Sequence, residues 1–531
     1  METEQRLETQ RIDHLGIVAG ISQKIGLVAE IDRIIGPVER KVSCGEAVLA
    51  MVLNALGFSG RALYLMPEYL RNKPVDLLIA PELSAADFND DTLGRSLDDL
   101  QAQGVTEVFA QVASKALSVY GITHEFVHLD SSSFHLHGQY EAEEDPDKQV
   151  ITITHGYSRD HRPDLKQVVA QIISSQKSAL PVWLEVLSGN SSDKASFADS
   201  VVAYCKQLGE APKPYFVMDS AGFSAENLAK MKAVLWVTRV PETLAEAQRL
   251  VRETSQAEMT ELKPGYWGQE KEITYADIKQ RWLIVYSTAA YQRELQGLER
   301  AQAKELQQAE KGWRALCRQE YRCQADAKQA VHAFNQKWKY HQAPVQVEPV
   351  THYAHPGRPT ANTAVETLGY RLTGTVAVVP ASLESAKRAL GKFIVATNQT
   401  DAHLLSAPAM LAHYTEQGVA VECSFRFLKD PLFFAHSLFL KKPERIMALV
   451  MIMVLSLLIY ALAERELRQA LEDTQQTVPD QKGKPTATPT MRWVFQVFEG
   501  IDVLSIWQDE HLVLRQLLNM QIGRASCRER V

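Results

Sequence analysis

Three carboxylates stand where an oxygen-ligated metal centre could be built. Asp130 lies inside a run of alternating character, EFVHLDSSSF at 125–134, with Phe126 and His128 on one side of the pleat and Val127 and Leu129 on the other. A carboxylate within such a run needs a reason, because buried charge is costly unless it is paired or holds an ion. Asp219 closes a second apolar run, YFVMD at 215–219, and the C-terminal ends of sheet strands commonly carry catalytic groups. Glu422 falls in VECSFRFLK at 421–429, where Glu422, Arg426 and Lys429 share one helical face and Phe425 and Leu428 occupy its apolar neighbour. Each has an ordinary reading beside the functional one. A strand-end aspartate caps the turn that follows it, and an acid with two cations on a helix makes a surface ion-pair ladder. Two aspartates on neighbouring core strands could instead share a divalent ion, for which hard oxygen ligands are suited.

The surrounding sequence supplies elements able to hold such groups. Residues 1–118 read as short helices, with an apolar stripe at 45–56 and breaks at Gly36-Pro37, 57–60 and Lys73-Pro74. They suit a DNA-end-binding or dimerisation role, or a plain helical cap. From residue 125 the texture turns β-branched, and 125–134, QVITITH at 149–155 and LPVWLEVL at 180–187 predict three strands of a meander. An amphipathic helix over 194–208, a strand at 215–219, a short helix at 225–231 and a strand at 234–240 follow. The order is βββ-α-β-α-β, that of a ribonuclease-H-like sheet, and the fold class expected is therefore α/β.

After Pro241 that pattern stops for about 150 residues. A charged, helix-prone stretch at 290–340, with Glu294, Glu299, Glu305 and Glu310 among Arg and Lys, predicts a projecting antiparallel helical arm. Strands at 370–379 and 393–397 precede the helix of Glu422. Residues 446–463 are apolar except Ser456, and Lys441, Lys442 and Arg445 precede them. Eighteen residues can just span a bilayer. Charged helical sequence runs on directly from them, which favours a helix buried on all sides, with no membrane involved. Residues 474–490 read as a loop before a closing helix from about 492. The last ten residues, IGRASCRERV at 522–531, read as translated sequencing adapter and are set aside.

With 57 basic and 64 acidic residues the 531-residue chain carries a net charge of −7, which excludes a uniformly basic nucleic-acid coat. Any DNA contact must use local basic clusters. The best is at 155–166, where Arg159, His161, Arg162 and Lys166 gather, a solvated turn being the alternative. Trp236 reads as core rather than as a stacking platform. The six cysteines have no framework spacing and the N-terminus is polar, as expected for a reduced, cytoplasmic protein. Cys317, Cys323, His332 and His341 have zinc-ligand types at spacings too loose for a zinc site. There is no phosphate loop, dinucleotide fingerprint or nucleophile elbow, so no nucleotide cofactor is expected.

The runs LDSSSF around Asp130, HGYSRDHRPDLKQ at 155–167, GNSSDK at 189–194, RVPETL at 239–244, and ECSFRFLKDPLFF with FLKKPERI closely resemble bacterial insertion-sequence transposases of the DDE type, in the branch with a long insertion before the glutamate. The match runs to about residue 521. It implies a ribonuclease-H-like core with flanking helices, built from 119–240 and 401–473. A helical domain at 1–118, a mixed insertion domain at 241–400 and a tail at 474–521 complete the division. It further implies that Asp130, Asp219 and Glu422 hold two Mg²⁺, with Mn²⁺ able to substitute, Asp130 bridging the ions and the other two each completing one site.

Tyr414, Glu422 and Lys429 fill three places of the family's Tyr-Arg-Glu-Lys signature; Gln417 and Gly418 stand where its Arg is expected, and Arg426 is the substitute. Lys429, Arg426 and Arg239 would hold phosphates. The implied activity is cut-and-paste transposition: recognition of terminal inverted repeats, hydrolysis at the ends, and attack of the freed 3′-OH groups on target DNA by at least a homodimer associated with the bacterial nucleoid. A DDE-type nuclease without strand transfer and a catalytically inactive DNA-binding relic are the alternatives.

Overall fold

The structure is a computed structural model that describes residues 5–59, 61–138, 140, 150–158, 162–176, 179–353, 365–429, 440–509 and 511–519, with residues 5, 193, 353, 417–424 and 426 described by backbone alone. The chain forms two compact units, one of residues 1–238, 276–278 and 412–531, the other of 239–275 and 279–411.

The first unit is built on a mixed sheet. Strand β1 (Phe126–Leu136), β2 (Lys166–Ser175), β3 (Pro181–Ser188), helix α1 (Asp193–Leu208), strand β4 (Tyr215–Met218), helix α2 (Ala225–Lys230) and strand β5 (Trp236–Arg239) follow one another. Their spatial order is β3-β2-β1-β4-β5. The β1-β2 and β2-β3 pairs are antiparallel, and β1-β4 and β4-β5 are parallel. This is the ribonuclease-H-like α/β arrangement, as the element order predicts.

One strand of the expected meander is corrected. Residues 150–158 hold only the isolated bridge of Thr154 to Gln167, and the second strand is Lys166–Ser175. Every residue of β2 after Lys166 is buried, so it lacks the alternation by which strands are recognised.

Against the sheet lies a helical layer. Helix Cys44–Leu56 begins at a capping box, in which Ser43 Oγ accepts from the Glu46 amide at 3.1 Å and the Glu46 carboxylate accepts from the Ser43 amide at 2.8 Å. Every residue of it except Glu46 is buried. The apolar run 446–463 is part of α4 (Pro443–Asp473), which packs on helices Leu15–Lys24, Cys44–Leu56, Asp90–Gln103 and Val105–Tyr120 and on β3. Its long apolar window is mostly enclosed by protein, so this helix buries its circumference inside the unit. Ser456 within that run donates to the Ile452 carbonyl at 2.8 Å. A single apolar cluster joins these helices to the sheet face through Phe134, Ile172 and Leu184.

The closing helix expected from about 492 is short, Met491–Val497, and leads into a hairpin of Asp502–Gln508 and His511–Leu518. Strand Gln5–Arg11 joins that hairpin antiparallel. Residues 522–531 lie outside the described residues.

In the second unit, strands Thr260–Lys263, Tyr266–Tyr275, Ile278–Ser287 and Lys392–Thr397 run side by side in antiparallel order, the last against residues 281–286. The charged stretch is two helices, Thr288–Cys317 and Gln324–Asn335, which close on a small core of Ala309, Trp313, Val331, Phe334 and Leu372.

Candidate active site

Strands β1 and β4 run parallel with Phe126 opposite Tyr215, Val127 opposite Phe216 and His128 opposite Val217. Carried two residues further, this register sets Asp130 beside Asp219. The backbone of Asp219 keeps an extended conformation (φ −76°, ψ −176°), so the strand line holds to that point before the chain turns at Ser220–Gly222. In-register residues of parallel strands face the same side, and strand spacing is about 4.8 Å, which makes the two carboxylates close neighbours where β4 leaves the sheet.

Asp130 Oδ1 accepts from the Ser131 amide at 2.8 Å. Asp219 does cap the turn after its strand, through Oδ1 and the Ala221 amide at 2.8 Å, and its carbonyl accepts from Thr238 Oγ1 at 2.7 Å. The ordinary reading of Asp219 is thus realised. It does not compete with ion binding, since an ionised carboxylate offers about four lone-pair sites.

The helix carrying Glu422 is α3 (Ala407–Leu428). The side chains of Glu422 and Arg426 lie outside the description. The α3 side chains that are described reach the sheet near its start. The His413 ring stacks on Phe126 with centroids 3.5 Å apart and planes at 14°, and Phe126 stacks on Tyr215 at 4.7 Å and 16°. His413 Nδ1 and Gln176 Oε1 are 2.7 Å apart, and Gln176 Nε2 donates to Glu416. Tyr414 and Lys429 are half-buried, and Phe425 and Leu428 enter the apolar cluster. His128, on the Asp130 face of β1, is fully buried, and burial with the nearby His413 pushes its pKa down to about 4, so the imidazole is neutral.

Of the basic cluster at 155–166, Arg159 and His161 lie outside the described residues. Arg162 forms a two-bond pair with Asp164 at 2.9 and 2.8 Å, and that guanidinium holds the Asp164 carboxyl at about 2. Lys166 donates to the Tyr140 carbonyl. In the second unit Arg239 pairs with Glu242 and lies over the Phe393 ring at 5.4 Å. The described cations of the cluster are therefore engaged by the protein itself, a pairing that the residue types alone did not announce.

A feature missed by sequence reasoning explains two of the motifs. Gln167 Nε2 donates to the carbonyls of Gly189 at 2.7 Å and Tyr157 at 3.2 Å. A Cβ on Gly156 would stand 1.9 Å from the Gly189 carbonyl oxygen, and one on Gly189 would stand 2.1 Å from that of Gln167. The HGYS and GN runs are glycine-dependent because three backbones meet there. His135 Nε2 and Ser158 Oγ, 2.9 Å apart, tie the same segment to β1 beyond Asp130.

Among the described residues no three His, Cys, Asp or Glu side chains converge. Cys323 caps the Asp326 amide and His341 pairs with Glu305 at 2.9 Å, so these members of the loose zinc-type set have partners of their own. Asp130 and Asp219 form a pair of oxygen donors whose chemistry fits a hard divalent cation.

The sheet is ribonuclease-H-like, with one aspartate inside its first strand and another directly after its fourth. Residues 122–459 match the family described as Transposase DDE domain, and the chain belongs to that family: it is a DDE-type transposase. Residues 7–114 match a domain of unknown function, DUF4277. Comparison with curated proteins finds no match. Among solved structures, the chain is similar to the piggyBac transposase in a cryo-EM synaptic complex with hairpin DNA, at 8% identity and a TM-score of 0.39 over 93% of this chain and 82% of that one.

Proposed function

We propose that this transposase works by cut and paste, cleaving DNA at the ends of its own insertion sequence and joining the freed ends to target DNA. What supports this reading is the β1-β4 register, whose last pair, His128 with Val217, stands two residues before Asp130 on one strand and two before Asp219 on the other. Asp130, Asp219 and Glu422 would hold two Mg²⁺, which would supply activation of an attacking oxygen and stabilisation of a leaving one. In the first step water attacks phosphorus at the element's end, the bond to the 3′ oxygen breaks, and a 3′-OH and a 5′-phosphate remain. In the second, that 3′-OH attacks a target phosphodiester, loses its proton to solvent, and displaces a target 3′ oxygen.

Lys429, Arg426, Arg239 and Tyr414 position phosphates, and the 155–166 segment contacts the DNA backbone. Arg162 and Arg239 do so by exchanging an exposed carboxylate partner for phosphate. Two ends joined in one event call for two catalytic sites, hence a homodimer on DNA.

The test is single substitution. Asp130→Ala, Asp219→Ala and Glu422→Ala are each expected to abolish Mg²⁺-dependent cleavage while leaving end binding in place, and normal cleavage by any one of them removes it from the triad. A strand-transfer assay with pre-cleaved ends then separates a transposase that joins from a nuclease that only hydrolyses.

A further inference from the structure

We infer that Tyr215, Phe126, His413 and Gln176 form a staple that positions the glutamate-bearing helix α3 on the two aspartate-bearing strands, with His413 and Gln176 as positioning residues for the metal site. The inference rests on the triad reading above. Phe126 and Tyr215 are register partners, and each stands four residues before the aspartate of its own strand. His413 extends their stack to α3, with planes within 16° at both contacts. One ring thus comes from each of the three elements that carry the proposed ligands.

Gln176 fixes the same point by hydrogen bonds. It follows β2 directly, and its amide donates to the Phe126 carbonyl at 3.2 Å. Its carboxamide oxygen accepts from His413 Nδ1 and its carboxamide nitrogen donates to Glu416, one turn along α3. The stack resists tilting of the helix, while the paired bonds resist rotation and sliding. A slide of one residue moves a helix by about 1.5 Å, and misplacement of about 1 Å in a catalytic group can cost about a hundredfold in rate. The aspartates stand at matching offsets from their rings, so any slip of α3 on the staple displaces its far end relative to both carboxylates together.

The experiment compares His413→Ala, His413→Phe and Gln176→Ala in the full chain. Mn²⁺ binding is read by electron paramagnetic resonance, and Mg²⁺ half-saturation, kcat and KM are read on DNA bearing the element's ends. His413→Ala is expected to weaken Mn²⁺ binding by about tenfold, the scale typical of losing a group that orients metal ligands. The Mg²⁺ requirement should rise and kcat fall while KM for DNA stays near the parent value. His413→Phe keeps the ring stack but loses the bond to Gln176, and is expected to recover part of the loss.

Parent-like Mn²⁺ binding by His413→Ala with only a lower melting temperature would make the staple plain packing and overturn the inference. If His413→Ala does not fold, Gln176→Ala, in a half-buried turn, decides the question by the same readouts. If Asp130→Ala, Asp219→Ala and Glu422→Ala themselves bind Mn²⁺ and cleave normally, it is the triad that fails.

Discussion

At the scale of single residues, one imidazole beside the carboxylates is buried and neutral. His128 shares a face of β1 with Asp130, is fully buried, and has no hydrogen-bond partner at either ring nitrogen among the described residues. Burial therefore governs its titration and holds its pKa near 4, against 6.5 for an unhindered imidazole; His14 and His124 are lowered by burial as well. As pH falls below 6.5 the unfolded chain takes up protons that the folded chain refuses. Stability is thus fully present above 6.5, is lost progressively toward pH 4, and levels off once folded His128 protonates. Its share is on the order of 3 kcal/mol across that window. His128→Leu, similar in volume and without a proton to gain, is expected to melt higher than the parent at pH 5 and to flatten the decline of melting temperature between pH 6.5 and 4.5. A variant with the parent's pH slope would show that His128 is not held neutral by burial.

At the scale of elements, what was legible in the sequence followed from how each segment is buried. Strands β1, β4 and β5 announced themselves by β-branched and aromatic runs, and with the two helices between them they gave the sheet order that brings Asp130 beside Asp219. Strand β2 escaped because both of its faces are covered, while QVITITH at 149–155 alternates like a strand, yet its described residues 150–155 contribute one bridge. The staple on α3 was illegible for a different reason: its four residues come from four elements, and no local spacing links Gln176 to His413. The closeness of Gly156 and Gly189 is likewise a property of three chains meeting rather than of either motif.

Helix α4 shows which force holds an element in place. Arg445 joins its first turn to Asp98 by two bonds of 2.7 Å, but Asp98 is 43% exposed, so solvent screening leaves about 1 kcal/mol or less. Leu458, with no exposed surface, loses a buried side chain on truncation, at about 2–5 kcal/mol. Leu458→Ala is accordingly expected to lower the melting temperature several-fold more than Arg445→Ala. Equal drops would mean that the ion pair, and not the apolar circumference, anchors the helix.

At the scale of the whole molecule, a chain of net charge −7 must approach a polyanion. It cannot rely on a basic coat, and its exposed cations are widely matched by acids: Arg33 with Glu30, Arg249 with Glu246 and Glu253, Arg314 with Glu310, and Arg162 with Asp164. Exposed pairs of this kind contribute little to folding, because water and salt screen them. Exchange of such a pair for phosphate would therefore cost little, and the acid would act as a placeholder that suppresses contact with DNA elsewhere.

For Arg162 this yields opposed expectations from the two halves of one pair. The binding constant for the element's ends should fall linearly with salt on logarithmic axes, at about 0.9 per phosphate engaged. Arg162→Ala should reduce that slope by about one phosphate's worth and weaken binding evenly across DNA sequences. Asp164→Asn should leave the slope as it is or steepen it, and should tighten binding at low salt, since the guanidinium no longer has to leave a carboxylate. Were both substitutions to leave affinity and slope unchanged, the 155–166 segment would be a solvated turn, and the phosphate contacts would have to be sought on Lys429 and its neighbours on α3.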